Sequence, residues 1–390
     1  MAVTLALAAL AVAGCSKDDG GSSSATTKPV VTTTTGPVLD DSLKLNQIQT
    51  IGTHNSFHVA ATGREHQLLV DLNPAQAAQR TYSHRPLAAQ LGAEKVRQIE
   101  LDVFLDSKGG LYAHPVLRAE AGLEPLTDEV PEMAEPGIKV LHEQDVDYHS
   151  VCPTLHRCLT EVAAWSDANP HHVPLAINIQ FKDGPLIFAV PGQAVPEKWV
   201  TETMDSLDAE IRSVFGPDEM ITPDDVRGDR ATLEEAVLAG DWPTLGESRG
   251  KVMFLMINAE PYRTMYLTGH DALAGRVMFT NAEPGQPDAS YVSIDDPVGD
   301  RAEIDKLVRQ GYLVRTRADA PDEQGRTGDT SVRDAALASG AQWISTDYPG
   351  PDGARAQYGT DYVAELPAFR AARCNPVTAP PDCSDAEVEP

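Results

Sequence analysis

Apolar and polar positions fall in short alternating blocks along most of the chain. Near-continuous apolar or β-branched runs occupy residues 47–53, 96–105, 173–181, 251–257, 276–280, 291–294, 312–316 and 342–346, and each is predicted to be a strand. Between them, apolar residues recur at three- and four-residue spacing over 154–167, 197–215, 231–239, 302–310 and 332–339, which predicts helices. Runs such as Val252-Met253-Phe254-Leu255-Met256-Ile257 have no polar side, so they are expected to be covered on both faces, as in a parallel sheet flanked by helices. Strand followed by helix, repeated about eight times, predicts an α/β chain folded as a single-domain TIM-like (β/α) barrel. An open doubly wound sheet is the alternative; its nucleotide-binding form lacks support, because neither a Gly-x-Gly-x-x-Gly nor a Walker loop occurs.

Both ends depart from this pattern. Residues 1–15 read as a signal peptide: the apolar stretch is too short to span a bilayer, and Val12-Ala13-Gly14-Cys15 is similar to the bacterial lipobox, in which the cysteine is lipidated. A basic N-terminal region is missing, as a start codon placed too late would explain, and a plain secretory signal is the alternative. Residues 16–42, rich in Ser and Thr, bury too little apolar surface to fold and are expected to be a disordered tether. The barrel is assigned to 43–370 and a C-terminal tail to 371–390. Of five cysteines, Cys15 would carry lipid, leaving two close pairs, Cys152 with Cys158 and Cys374 with Cys383. Export would let both pairs form disulfides; a metal site is the competing use, but neither spacing matches a zinc signature. The expected location is the cell envelope as a lipoprotein, or outside the cell as a secreted protein.

Charge narrows the partners. With 58 acidic against 31 basic residues the chain carries a formal −27, which opposes binding to nucleic acid. An anionic membrane would also repel it unless divalent cations or its own lipid anchor offset the charge. A monomer is expected.

The candidate chemistry sits at strand ends. The first strand stops at Thr53-His54-Asn55-Ser56, delivering an imidazole and an amide to a barrel mouth. On the next strand Glu100 and Asp102 are two apart and share a side, so they would repel one another unless a cation lay between them; a hard, oxygen-seeking ion such as calcium or magnesium suits them. A wet edge strand is the plainer explanation. His114 follows in Gly110-Leu111-Tyr112-Ala113-His114-Pro115, and His54 with His114 would serve as general base and general acid at a phosphodiester. On a later strand Asn178, Gln180 and Lys182 are in phase; the amides could ligate a metal and Lys182 hold a phosphate, or simply be solvated. Arg315, Arg317 and Asp319 close another strand, where Arg317 would clamp a phosphate or form a structural ion pair.

Taken together, Thr53-His54-Asn55-Ser56, Glu100-x-Asp102, His114, the stretch 152–170 with Trp165, residues 174–183, and Ala341-Gln342-Trp343-Ile344-Ser345-Thr346-Asp347-Tyr348-Pro349 resemble the bacterial calcium-dependent phosphatidylinositol-specific phospholipases C over most of 45–349. The resemblance implies a TIM-like barrel that cleaves phosphatidylinositol, or a related lipid at a membrane surface, to diacylglycerol and inositol phosphate, often through a cyclic phosphodiester. It implies that His54 stabilises the pentacoordinate phosphorane and aids proton transfer, with His114 as its partner, and that Asn55, Glu100 and Asp102 ligate Ca2+. The fourth ligand of the family is usually glutamate, and Gln180 stands there, keeping an oxygen but losing a charge. Two other readings stay open. A glycerophosphodiester phosphodiesterase would share the barrel, but its His-Arg-Gly opening is replaced by Thr53-His54-Asn55. A non-catalytic surface lipoprotein using the barrel to bind is favoured by Gln180 and opposed by the two histidines and two acids.

Overall fold

A computed structural model describes residues 39–186, 191–319 and 323–389. The expected signal peptide, the lipobox-like cysteine and most of the tether lie outside the described residues.

Every predicted strand is present, its ends within about two residues of those expected: β1 (Ile48–Thr53), β2 (Gln98–Asp106), β4 (Leu175–Phe181), β5 (Val252–Met256), β6 (Met278–Phe279), β7 (Tyr291–Ser293), β8 (Leu313–Arg317) and β9 (Trp343–Thr346). Two short strands, β3 (Gly137–Val140) and β10 (Ala372–Cys374), were not expected. They are antiparallel additions to β2 and β1; the other strands of the ten-stranded sheet run parallel in the order β6-β5-β4-β2-β1-β9-β8-β7. A parallel bridge from Asn281 to Tyr291 links β6 to β7 and closes the circuit. The chain is a TIM-like barrel, with strand neighbours following chain order as right-handed β-α-β connections require.

Local causes are visible at several elements. The helix Leu155–Ala168 starts at Thr154, whose hydroxyl accepts from the Arg157 amide at 3.3 Å, and the Cys152–Cys158 disulfide ties its first turns to the preceding loop. Helix Arg301–Gln310 ends at Gly311, whose φ of 99° lies in the left-handed region that glycine adopts without strain. The helix expected from residue 197 begins at Thr201, because the Thr203 hydroxyl caps the Val200 amide at 2.9 Å and sets the start there. Inside the barrel a Cβ on Gly52 would lie 1.9 Å from Gln98 Oε1, so glycine is what lets the Gln98 side chain cross from β2 to accept from Ser345 on β9.

The C-terminal segment read as a tail is built into the barrel. β10 pairs with the start of β1, Cys374 is bridged to Cys383, and Glu389 accepts from Arg97 Nε at 2.9 Å at the N-terminal end of β2. Leu39, Leu43, Ile48, Val173, Leu245, Ala372 and Val388 pack together at this end. Among the described residues no helix is long and apolar enough to cross a membrane.

Candidate active site

The polar groups gather at the other end, where the parallel strands finish. Just past β1, His54 Nδ1 donates to Asp347 Oδ1 at 2.9 Å, and His54 Nε2 lies 3.8 Å from Glu100 Oε1. Burial, reinforced by Arg317, holds the His54 pKa well below its ordinary value, so the ring is neutral with its proton on Nδ1. Asp347, just past β9, also accepts from Arg317 Nη2 at 3.0 Å; its backbone amide donates to Asp319 at 3.2 Å, and Thr346 donates to Asp319 through its hydroxyl. Burial and the neighbouring Asp347 push the Asp319 carboxyl up to about 7. Arg317, placed by sequence as a phosphate clamp, thus lines the cleft while gripping the carboxylate that orients His54.

Asn55 turns the chain after β1 with φ 44°, a left-handed conformation asparagine tolerates better than most residues. Its Nδ2 donates to Tyr82 Oη at 2.9 Å, and its Oδ1 is buried with no hydrogen-bond partner among the described residues. Ser56 then fastens this turn to β2, its Oγ accepting from the Glu100 amide at 2.7 Å.

Register brings the β2 acids and the β4 amides together, Glu100 opposite Asn178 and Asp102 opposite Gln180. Asp102 is fully buried, Lys182 Nζ lies 3.0 Å from its Oδ2, and burial raises its pKa against the pull of that lysine. Glu100 Oε2 accepts from Arg315 Nη2 at 2.7 Å. The buried Oδ1 atoms of Asn55, Asn178 and Asp102 have no hydrogen-bonding partner among the described residues, an arrangement that suits a hard cation taking several oxygen ligands. Of the expected set, Asn55 and Asp102 bring such oxygens, Gln180 is paired with Asp102 in register, and Glu100 is held by Arg315.

The two expected histidines do not share the cleft. His114 is exposed in the turn after β2 and does not line the cleft that holds His54. His142 does: a cavity of about 330 Å³ is bounded by His54, Asn55, Arg80, Tyr82, His142 and Arg317 among others. The reason is β3, which folds back antiparallel on β2 and returns the chain to the mouth at Leu141 and His142, whereas the longer excursion through His114 stays outside. The signal available in sequence was the short apolar run Ile138-Lys139-Val140-Leu141 ending in a histidine. His142 Nδ1 donates to Asp147 Oδ2 at 2.7 Å, so each cleft histidine is backed by a carboxylate.

The model of the family "Phosphoinositide phospholipase C, Ca2+-dependent" matches residues 43–376. No curated protein matches the chain. Among solved structures, a calcium-dependent phosphoinositol-specific phospholipase C from a Pseudomonas species is similar in its apo form with TM-score 0.51 and 14% identity, over 86% of this chain and 96% of that one. A second apo crystal form gives 0.50 and 15%, over 87% and 97%. The calcium-dependent phosphatidylinositol-specific phospholipase C from Streptomyces antibioticus gives 0.49 and 18%, over 78% and 95%. At such identities the Pseudomonas likeness speaks for the fold.

Proposed function

The chain belongs to the calcium-dependent phosphoinositide phospholipase C family and is a phosphoric diester hydrolase; from that premise we propose that His54 and His142 are its acid-base pair and that Asn55, Glu100, Asp102 and Gln180 hold the ion. The observation that carries this reading is the facing of two carboxylate-backed histidines across one cleft, above buried oxygens that lack partners.

With its proton turned to Asp347, neutral His54 offers Nε2 to the cleft and takes the proton of the attacking inositol hydroxyl. The new O–P bond forms as the P–O bond to glycerol breaks, and protonated His142, stabilised by Asp147, gives its Nε2 proton to the departing glycerol oxygen. Arg317 and Lys182 present their cationic ends to the phosphate, and Asp347 keeps Arg317 in place. Asn55, Glu100, Asp102 and Gln180 would hold calcium, which would supply Lewis-acid polarisation of the phosphate and offset developing charge.

Hydrolysis of phosphatidylinositol in vesicles, followed by release of inositol phosphate, tests the assignment. Turnover should require calcium and should collapse in His54→Ala and in His142→Ala. Full turnover in either variant sinks the pair.

We also place the protein outside the cytoplasm as a monomer held by lipid on Cys15. Two disulfides suit an oxidising compartment, and Val12-Ala13-Gly14-Cys15 supports the anchor. Labelled fatty acid should be incorporated by the natural chain and not by Cys15→Ala; equal labelling refutes the anchor.

A further inference from the structure

Behind the cleft lies a buried ionic group that extends beyond His142 and Asp147. The hairpin 143–147, closed by reciprocal bonds from the Glu143 amide to the Asp147 carbonyl at 2.9 Å and back at 3.0 Å, brings Asp147 alongside His142. Asp147 divides its oxygens: Oδ2 accepts from His142 Nδ1 at 2.7 Å, and Oδ1 accepts from His58 Nε2 at 2.9 Å. On its far side His58 Nδ1 donates to the Tyr82 carbonyl at 3.0 Å. A carboxylate and a carbonyl only accept, so both ring nitrogens of His58 carry hydrogen, and this wholly buried ring is an imidazolium. Burial alone would discharge it, but the Asp147 carboxylate outweighs that and raises its pKa. Arg80 completes the group, with Nε 3.3 Å from Asp147 Oδ2 and Nη2 2.8 Å from Glu143.

His58, His142 and Asp147 each bring one donor atom within 4.8 Å of the others, as a metal site would. A doubly protonated His58 has no lone pair to give, however, and Arg80 already supplies positive charge beside Asp147. The group is an internal ion pair whose exposed outlet is His142.

We propose that Asp147, clamped between His58 and Arg80, is the positioning residue that holds His142 with a proton on Nδ1 and its Nε2 turned to the cleft. The proposal rests on His142 being the second histidine of the reaction. A neutral imidazole left to itself exchanges tautomers and turns about its ring bond; a fixed anion at Nδ1 removes both freedoms and stabilises the protonated ring. His58 and Arg80 act one step further back, keeping the carboxylate ionised and stationary although it is buried.

Long-range proton-nitrogen correlation on the histidine-labelled protein at pH 8 reads the tautomers without any variant. His142 should carry hydrogen on Nδ1 and His58 on both nitrogens; an Nδ1 of His142 without hydrogen overturns the proposal. In kinetics, Asp147→Asn should lower kcat by about 100-fold, in the range general acid-base contributions span, and leave KM within about threefold. His58→Gln, which keeps a donor but removes the charge, should lose about tenfold in kcat. Wild-type kcat in Asp147→Asn, with His142→Ala inactive, overturns the positioning role while leaving the acid-base pair intact. Full turnover in His142→Ala overturns the underlying reading instead.

Discussion

Lys182 Nζ lies 3.0 Å from Oδ2 of Asp102, one of the proposed calcium ligands. A lysine so placed would compete with a cation bound at that carboxylate. Replacing it, as Lys182→Met, should tighten calcium binding by about tenfold, a modest share of the repulsion between charges a few ångströms apart. It should also lower the melting temperature of the metal-free protein, because buried Asp102 loses its partner. Calorimetric titration with calcium checks the first effect; unchanged or weaker affinity would show that Lys182 does not compete.

Gln180 stands opposite Asp102 in register. Gln180→Glu adds a third formal charge to the oxygen set with almost no change of shape, and should tighten calcium binding by about tenfold or more. Activity measured against free calcium should then saturate at lower concentration. A calcium dependence identical to that of the natural chain would place the residue 180 side chain outside the coordination sphere.

The two candidate partners of His54 are separable by a pair of substitutions. His114→Ala should leave turnover within about twofold, as for an exposed residue outside the cleft, whereas His142→Ala should lose roughly 100- to 10,000-fold. Vesicle hydrolysis by the two variants decides; a crippled His114→Ala would return that residue to the reaction.

His84 links the site to acid stability. Its Nε2 donates to the His54 carbonyl at 2.9 Å, and burial holds its pKa down to about 4. Since the folded value lies below that of the unfolded chain, the contribution is complete above about pH 6.5 and is lost as pH falls towards 4. A shift of this size corresponds to about 3 kcal/mol. His84→Gln keeps a donor for the carbonyl and cannot titrate, so its unfolding free energy should fall less steeply between pH 6.5 and 4; parallel curves would exclude His84 as the source.

The barrel was legible because its strands are apolar on both faces and its helices are not, a contrast that survives without tertiary information. The ends of Ile48–Thr53 and Gln98–Asp106 were legible for the same reason: His54, Asn55, Glu100 and Asp102 are polar interruptions in runs that otherwise bury completely. His142 was not, since its place depends on β3 turning back against β2, a four-residue antiparallel addition with weak periodicity. Nor could Asp147 and Asp347 be given roles, because what matters is which ring nitrogen each touches. The β10 strand was read as tail for a related reason: Ala372–Cys374 is too short to show a pattern, and its stability comes from β1 and from Glu389 reaching Arg97.

The cluster around Leu39, Leu43 and Ile48 fixes where the described chain begins, at the end of the barrel remote from His54. Val388 and Ala372 belong to the same cluster, β10 pairs with β1, and Glu389 holds Arg97, so the two ends of the described chain brace one another there. Loosening either end would therefore loosen both, far from the mouth that carries His54.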